Sequence, residues 1–117
     1  MSNLKIKQMV RSSFSTLFFI RENRVRKDGT TIIEVLITVN GERCGFSTGK
    51  KVKATSWDKT KQQVKGKDEE AKSLNNYLKA VKAKLYQKEA ELLGRGFIIT
   101  AKLLCEAYQE KIESLKE

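Results

Sequence analysis

The side chains in this sequence that could do chemistry are mostly cations. Arg21, Arg24, Arg26 and Lys27 crowd one segment, Arg43 stands among alternating apolar positions, and Lys50, Lys51 and Lys53 follow the run Ser47-Thr48-Gly49. Guanidinium and ammonium groups donate hydrogen bonds and keep their charge at neutral pH, so such clusters suit phosphate oxygens. An arginine can also fork onto the N7 and O6 acceptors of a guanine edge. The parts needed for bond-making chemistry are scarce. There is no histidine, which excludes imidazole triads, His-ligated metal sites and histidine proton relays. Cys44 and Cys105 match no C-x-x-C spacing and read as two buried free thiols of a reducing cytoplasm. Tyr77, Tyr86 and Tyr108 lack the neighbours that would activate a phenol and read as packing residues. The expectation is binding without catalysis, with no cofactor, no metal and no small-molecule substrate.

The partner is expected to be an anion. The 117 residues hold 24 Lys and Arg against 14 Asp and Glu, a net charge of +10. Residues 1–67 hold 15 basic against 5 acidic side chains, whereas residues 68–117 hold 9 of each. A charge that only kept the chain soluble would be spread evenly, so the asymmetry assigns one half to a polyanion and the other to support or connection. The longest apolar run, Leu17-Phe18-Phe19-Ile20, is far short of the roughly 20 residues that cross a bilayer. No membrane partner is expected, and the chain is placed in the cytoplasm.

Secondary structure follows from periodicity. Residues 1–12 show no period and read as a flexible basic arm. Residues 14–20 are aromatic and β-branched and predict a strand, and Lys27-Asp28-Gly29-Thr30 predicts a turn. Residues 31–39 and 42–48 predict two more strands around Asn40-Gly41, the dipeptide that closes a two-residue type I′ hairpin because both positions need positive φ. Residues 49–67 read as a basic connection whose Trp57 folds back on the core. From Asp68 the period becomes helical, with Ala71, Leu74, Leu78, Val81, Leu85 and Leu92 on one stripe and Gly94 as C-cap. Thr100 is a suitable N-cap for a second helix through Leu103, Leu104 and Ala107, extending toward Leu115. The fold class is thus α+β: a three-stranded antiparallel sheet packed on a long helix, then a C-terminal helix. The division is an arm over 1–12, a binding domain over 13–94, and a helical linker or the start of a further domain over 95–117.

A two-residue loop sets the hairpin register, pairing Val39 with Glu42, Thr38 with Arg43, Ile37 with Cys44, Val35 with Phe46 and Glu34 with Ser47. Ile33, Val35, Ile37, Val39, Cys44 and Phe46 then share an apolar face for the helix, while Glu34, Leu36, Thr38, Arg43, Gly45 and Ser47 share an open one. The pattern of the first strand leaves its two faces unassigned. A β-ribbon fits the major groove of B-DNA, so the open face supplies Arg43 and Thr38 for base edges, with Ser47 beside them. Lys50, Lys51 and Lys53 stand at one rim, and Arg21, Arg24, Arg26 and Lys27 at the first turn. Leu36, apolar on this face, is expected to pack under the N-terminal arm, with contact to DNA methyl groups as the alternative.

Several strings occur in order: Leu17-Phe18-Phe19-Ile20-Arg21-Glu22-Asn23, Lys27-Asp28-Gly29, Ile37-Thr38-Val39-Asn40-Gly41-Glu42-Arg43, Phe46-Ser47-Thr48-Gly49, Trp57-Asp58, Lys65-Gly66-Lys67, and a helix carrying Asn76 and Leu78. Together they resemble the N-terminal arm-type DNA-binding domain of tyrosine recombinases, the integrases of phages, conjugative transposons and other mobile elements. The resemblance covers about residues 13 to 93. It implies a sheet inserted in the major groove of arm-type sites in double-stranded DNA, tethering the recombinase for DNA integration and recombination, with other recombinase subunits as possible partners of the C-terminal helices. It also implies a bacterial cytoplasm, with the protein on the nucleoid when bound. In one departure, relatives often carry an arginine just before the Ile-Thr pair, where this chain has Leu36. The family cleaves DNA through a tyrosine set among arginines and histidine in a separate C-terminal domain, so this chain is expected to be the binding part alone. An RNA-binding module and a protein-interaction module acting through the helical half are the competing readings. The second of these would need an exposed apolar stripe on the second helix.

Overall fold

The computed structural model describes residues 14–109; the basic arm expected over 1–12 and the helical extension toward Leu115 lie outside the described residues. Strands β1 (Ser15–Phe19), β2 (Thr30–Val39) and β3 (Glu42–Lys53) form an antiparallel sheet in the order β1-β2-β3. A small antiparallel pair, β4 (Trp57–Asp58) with β5 (Gln63–Val64), precedes helix α1 (Glu69–Gly94) and helix α2 (Ala101–Tyr108). The α+β architecture is the expected one.

The hairpin register is also the expected one, from Val39 opposite Glu42 through Glu34 opposite Ser47. Asn40 at φ 50° and Gly41 at φ 83° supply the two left-handed positions that the turn demands. Ile33, Val35 and Ile37 are wholly buried under the helices, and Cys44 and Phe46 complete that face half-buried. The sheet also settles β1. Thr16 pairs with Ile37 and Phe18 with Val35, so Phe14 and Phe18 enter the core, while Ser15, Leu17 and Phe19 stand on the open face beside Thr38, Leu36 and Glu34.

Three expectations are corrected. The third strand does not stop at residue 48 but runs to Lys53 through a bulge in which Thr48, Gly49 and Lys50 stand against Ile33 alone. Gly49 takes φ 77° there, and the Thr48 hydroxyl donates to the Ile33 carbonyl at 2.7 Å while accepting the Lys50 amide at 3.1 Å. Because the bulge adds two residues, an even number, the alternation resumes in phase and Val52 is buried opposite Thr31. Secondly, residues 49–67 are not a plain connection. They contain the rest of β3 and the β4-β5 pair, in which buried Trp57 faces buried Val64. Asn75 of α1 brackets that pair, accepting the Val64 amide at 2.8 Å and donating to the Val64 carbonyl at 3.0 Å. The Gln62 side chain accepts the Phe18 amide at 2.9 Å, closing part of the outer edge of β1.

Thirdly, Gly94 is the last residue of α1 rather than its left-handed cap. Gly96, at φ 87°, takes that role. The Gly96 amide donates to Leu93 and the Phe97 amide to Leu92, both at 3.0 Å, the pair of bonds of a Schellman ending. At the other end Asp68 accepts the Ala71 amide at 2.9 Å, and Glu69 and Glu70 sit in the first turn, where the helix dipole favours negative charge. Helix α2 is capped by Thr100, whose hydroxyl accepts the Leu103 amide at 3.0 Å, and Glu42 of β3 accepts the Ala101 amide at 3.3 Å. Ala101, Leu104, Cys105 and Ala107 are buried in the same core as the sheet and α1.

Candidate nucleic-acid interface

With both helices on one side, the opposite face of the sheet is laid out as a grid by the strand pairing. Across the strands, Ser15, Thr38 and Arg43 form one row; Leu17, Leu36 and Gly45 the next; Phe19, Glu34 and Ser47 the third. Beyond the bulge, Ile32 pairs with Lys51 and Thr30 with Lys53. Rows on one face repeat every second residue, about 6.6 Å apart.

The expected site residues fall into three groups. Arg43 and Thr38 are cross-strand neighbours, with Arg43 exposed. Lys51 and Lys53 are not beyond the strand at a rim but within it, alternating with buried Val52 and therefore on the open face. Arg21, Arg24, Arg26 and Lys27, all exposed, lie on the connection that leaves β1 and enters β2 at this same end of the sheet. The turn there is stiffened by Asp28, which accepts the Thr30 amide at 3.0 Å and the Thr30 hydroxyl at 2.7 Å, with Gly29 at φ 85°. Those two hydrogen bonds are the main cause that holds the Asp28 carboxyl below its usual value, with smaller help from the charges of Lys51 and Arg26.

Two expected residues are engaged elsewhere. The Ser47 hydroxyl accepts the Gly49 amide at 3.0 Å, shaping the bulge. Lys50, at the bulge, turns to the helix side: its Nζ lies 4.8 Å from the Tyr77 ring centroid, and the Tyr77 hydroxyl donates to the Thr48 carbonyl at 3.5 Å. It is thereby set apart from Lys51 and Lys53.

Pattern reading put Glu34 on the open face without giving it a role, and it left Leu17 and Phe19 unassigned. Arg21 donates through Nε to Glu34 Oε2 at 2.9 Å, and its guanidinium carbon is 5.3 Å from the Phe19 centroid, so one cation is shared by a carboxylate and a ring. The alternation Lys51-Val52-Lys53 could have signalled the continued strand. The outward face of β1 had no such signal, because the long connection from β1 to β2 fixes no register.

The helix side has a different character. Phe46 stacks on Tyr108 with centroids 4.8 Å apart, Lys84 Nζ lies 4.8 Å from the Tyr108 centroid, and Phe14 meets Tyr86 at 4.7 Å. Burial, with the neighbouring Tyr77, pushes the Tyr108 phenol up to about 12. Cys105 is a buried free thiol beside half-buried Cys44, and burial is the first cause that pushes it up to about 12. The raised values keep Tyr108 and Cys105 neutral at physiological pH. Among the described residues no cluster of His, Cys, Asp and Glu could hold a metal ion, and no helix is long and apolar enough to cross a membrane. The apolar side chains of α2 face inward, so the described part of α2 carries no exposed apolar stripe.

The sheet is covered on one side by the helices and carries Arg43, Lys51 and Lys53 on the other, a cationic face. Comparison with known families makes this specific: the family model described as "Arm DNA-binding domain" matches residues 18–104. The chain belongs to this family, the arm-type DNA-binding domain found in tyrosine recombinases and integrases, a non-catalytic DNA-binding module. The match includes the start of α2, in keeping with the packing of that helix in the shared core. No curated protein and no solved structure matches this chain.

Proposed function

We propose that this domain binds double-stranded DNA with sequence preference by laying the open sheet face in the major groove, and so holds an integrase or recombinase on arm-type sites during integration and recombination of a mobile element in the cytoplasm. The observation that carries this reading is the placement of Arg43 beside Thr38 at one end of a sheet face that none of the described residues covers, the other end being lined with cations. From the Thr38 row to the Glu34 row is about 13 Å along β2, close to the roughly 12 Å width of the major groove. The Lys51 and Lys53 rows lie about 7 and 13 Å further on, where a phosphate strand would run. Base edges would meet Arg43 and Thr38, and phosphates would meet Lys51, Lys53, Arg24, Arg26 and Lys27. Tethering of this kind raises the local concentration of the attached enzyme without adding chemistry.

The test is a fluorescence-anisotropy salt series with duplexes from the ends of the element, random duplex and duplex RNA of equal length. The expected result is tighter binding to the element's ends, with a slope of log K against log salt near −0.9 for each phosphate contact. Equal binding to all three would remove the sequence preference, and preferred binding to RNA would favour the RNA-binding reading. A second reading, contact with other recombinase subunits, draws on the exposed Leu93, Phe97 and Ile98 at the turn between α1 and α2. Sedimentation of the full recombinase carrying Ile98→Ser tests it, and unchanged assembly would sink it.

A further inference from the structure

Leu17, Leu36 and Gly45 occupy the middle of the open face as one row across all three strands. Leu17 is 40% exposed, and Leu36 is half-buried beside it. A Cβ built on Gly45 would come within 3.0 Å of the Val35 carbonyl oxygen and 3.6 Å of Leu36 Cδ1. The glycine therefore keeps bare backbone on β3 at this row and lets Leu36 lie against it. A glycine inside a strand marks a bulge, a tight bend or a close approach to the backbone, and here the approach within the chain is that of Leu36. The row on one side is polar at Ser15, Thr38 and Arg43, and the row on the other carries Glu34 and Ser47 with Phe19, whose ring lies under the Arg21 guanidinium. Between them runs a shallow apolar strip, framed by the cations already described.

Leaving two leucines in the centre of a polar face forfeits burial that the fold could have used. In a major groove the one apolar group that base edges present is the C5-methyl of thymine; guanine, adenine and unmodified cytosine offer only donors and acceptors. From this we infer that the Leu17-Leu36 row reads a thymine methyl at the centre of the bound site, and that this contact, rather than a hydrogen bond, specifies the base there. The inference rests on the groove-binding reading above and deepens it. Uracil lacks the methyl, so the row also separates thymine from uracil.

The experiment uses the full chain. Preferred duplexes are enriched from a random library, and each thymine of the enriched site is then replaced by deoxyuridine, which removes the methyl and nothing else. At one or two central positions the replacement is expected to weaken binding by about three- to fivefold, the worth of one buried methyl. In Leu36→Ala, and separately in Leu17→Ala, the same replacement is expected to change binding less than about twofold, since the apolar partner is gone. Thermal melts of both variants check that the sheet is intact. An enriched site indifferent to every deoxyuridine overturns the inference while leaving groove reading in place, and is the result expected if residues 1–13 cover the strip instead. An equal deoxyuridine penalty in wild type and both variants overturns it as well. If no site is enriched, the groove reading and this inference fall together.

Discussion

Arg21 and Glu34 form an ion pair on the open face, Nε to Oε2 at 2.9 Å, linking the connection just after β1 to the middle of β2. Arg21 remains 46% exposed while Glu34 is 18% exposed. The carboxylate thus fixes the direction of a cation that would otherwise swing freely, and it places a negative charge where DNA would lie. For an exposed pair the contribution to stability is small, about 0 to 1 kcal/mol, so its main consequence lies in binding. Glu34→Gln is expected to tighten binding to random duplex and to narrow the gap between preferred and random sequences, because repulsion from phosphate is removed and Arg21 loses its fixed direction. Parallel anisotropy titrations on the two duplexes check this; a wider gap would contradict it.

Arg43 and Lys51 are expected to fail differently. Arg43→Ala should cost about 1 to 3 kcal/mol on the preferred duplex and little on random DNA, if the guanidinium reads a base. Lys51→Ala should weaken both alike and make the salt slope shallower by about 1. Lys50→Ala is the control, because its ammonium lies over Tyr77 on the helix side and its loss should leave the salt slope close to that of the wild type. A loss for Lys50→Ala as large as that for Lys51→Ala would show that Lys50 reaches the DNA after all.

The Asn75 amide satisfies both backbone groups of Val64, 11 residues away. Asn75→Ala leaves a partly buried N–H and C=O unpaired, which costs about 1 to 3 kcal/mol for such groups. Chemical denaturation should show a lower midpoint with an unchanged slope. DNA affinity measured well below the melting temperature should be preserved, since the β4-β5 pair lies off the open face.

Stability is expected to fall in alkali. The Cys105 thiol, ordinarily at 9.0, and the Tyr108 phenol, ordinarily at 10.0, are both pushed up to about 12 in the folded chain, chiefly by burial. The unfolded chain therefore loses these protons first. The stability that depends on them is full below about pH 9 and is lost as pH rises toward about 12. Denaturation midpoints from pH 7 to 11 should be flat at first and then decline, and Tyr108→Phe should decline less. A decline already complete by pH 8 would assign the effect to other groups.

Local sequence determined much of this protein. Asn40-Gly41 admits one tight turn, the turn sets the register, and the register sorts β2 and the first part of β3 into a buried and an open face, so Thr38 and Arg43 could be paired from residue types alone. Three- and four-residue spacing did the same for α1. The tertiary structure decided what depends on distant partners. The faces of β1 follow from pairing with β2 across a long connection that constrains no register. The passage of β3 through its bulge depends on the Thr48 hydroxyl reaching the Ile33 carbonyl, and the β4-β5 pair depends on Asn75, nearly two turns inside a helix whose surface gives no local sign of that role. Lys50 and Lys51 are neighbours with the same charge, yet one lies over Tyr77 and the other joins the open face, because β3 continues past residue 48 and consecutive strand residues point to opposite faces. Periodicity reports which residues share a face within one element, whereas the contacts that orient elements toward one another are fixed only when the core closes.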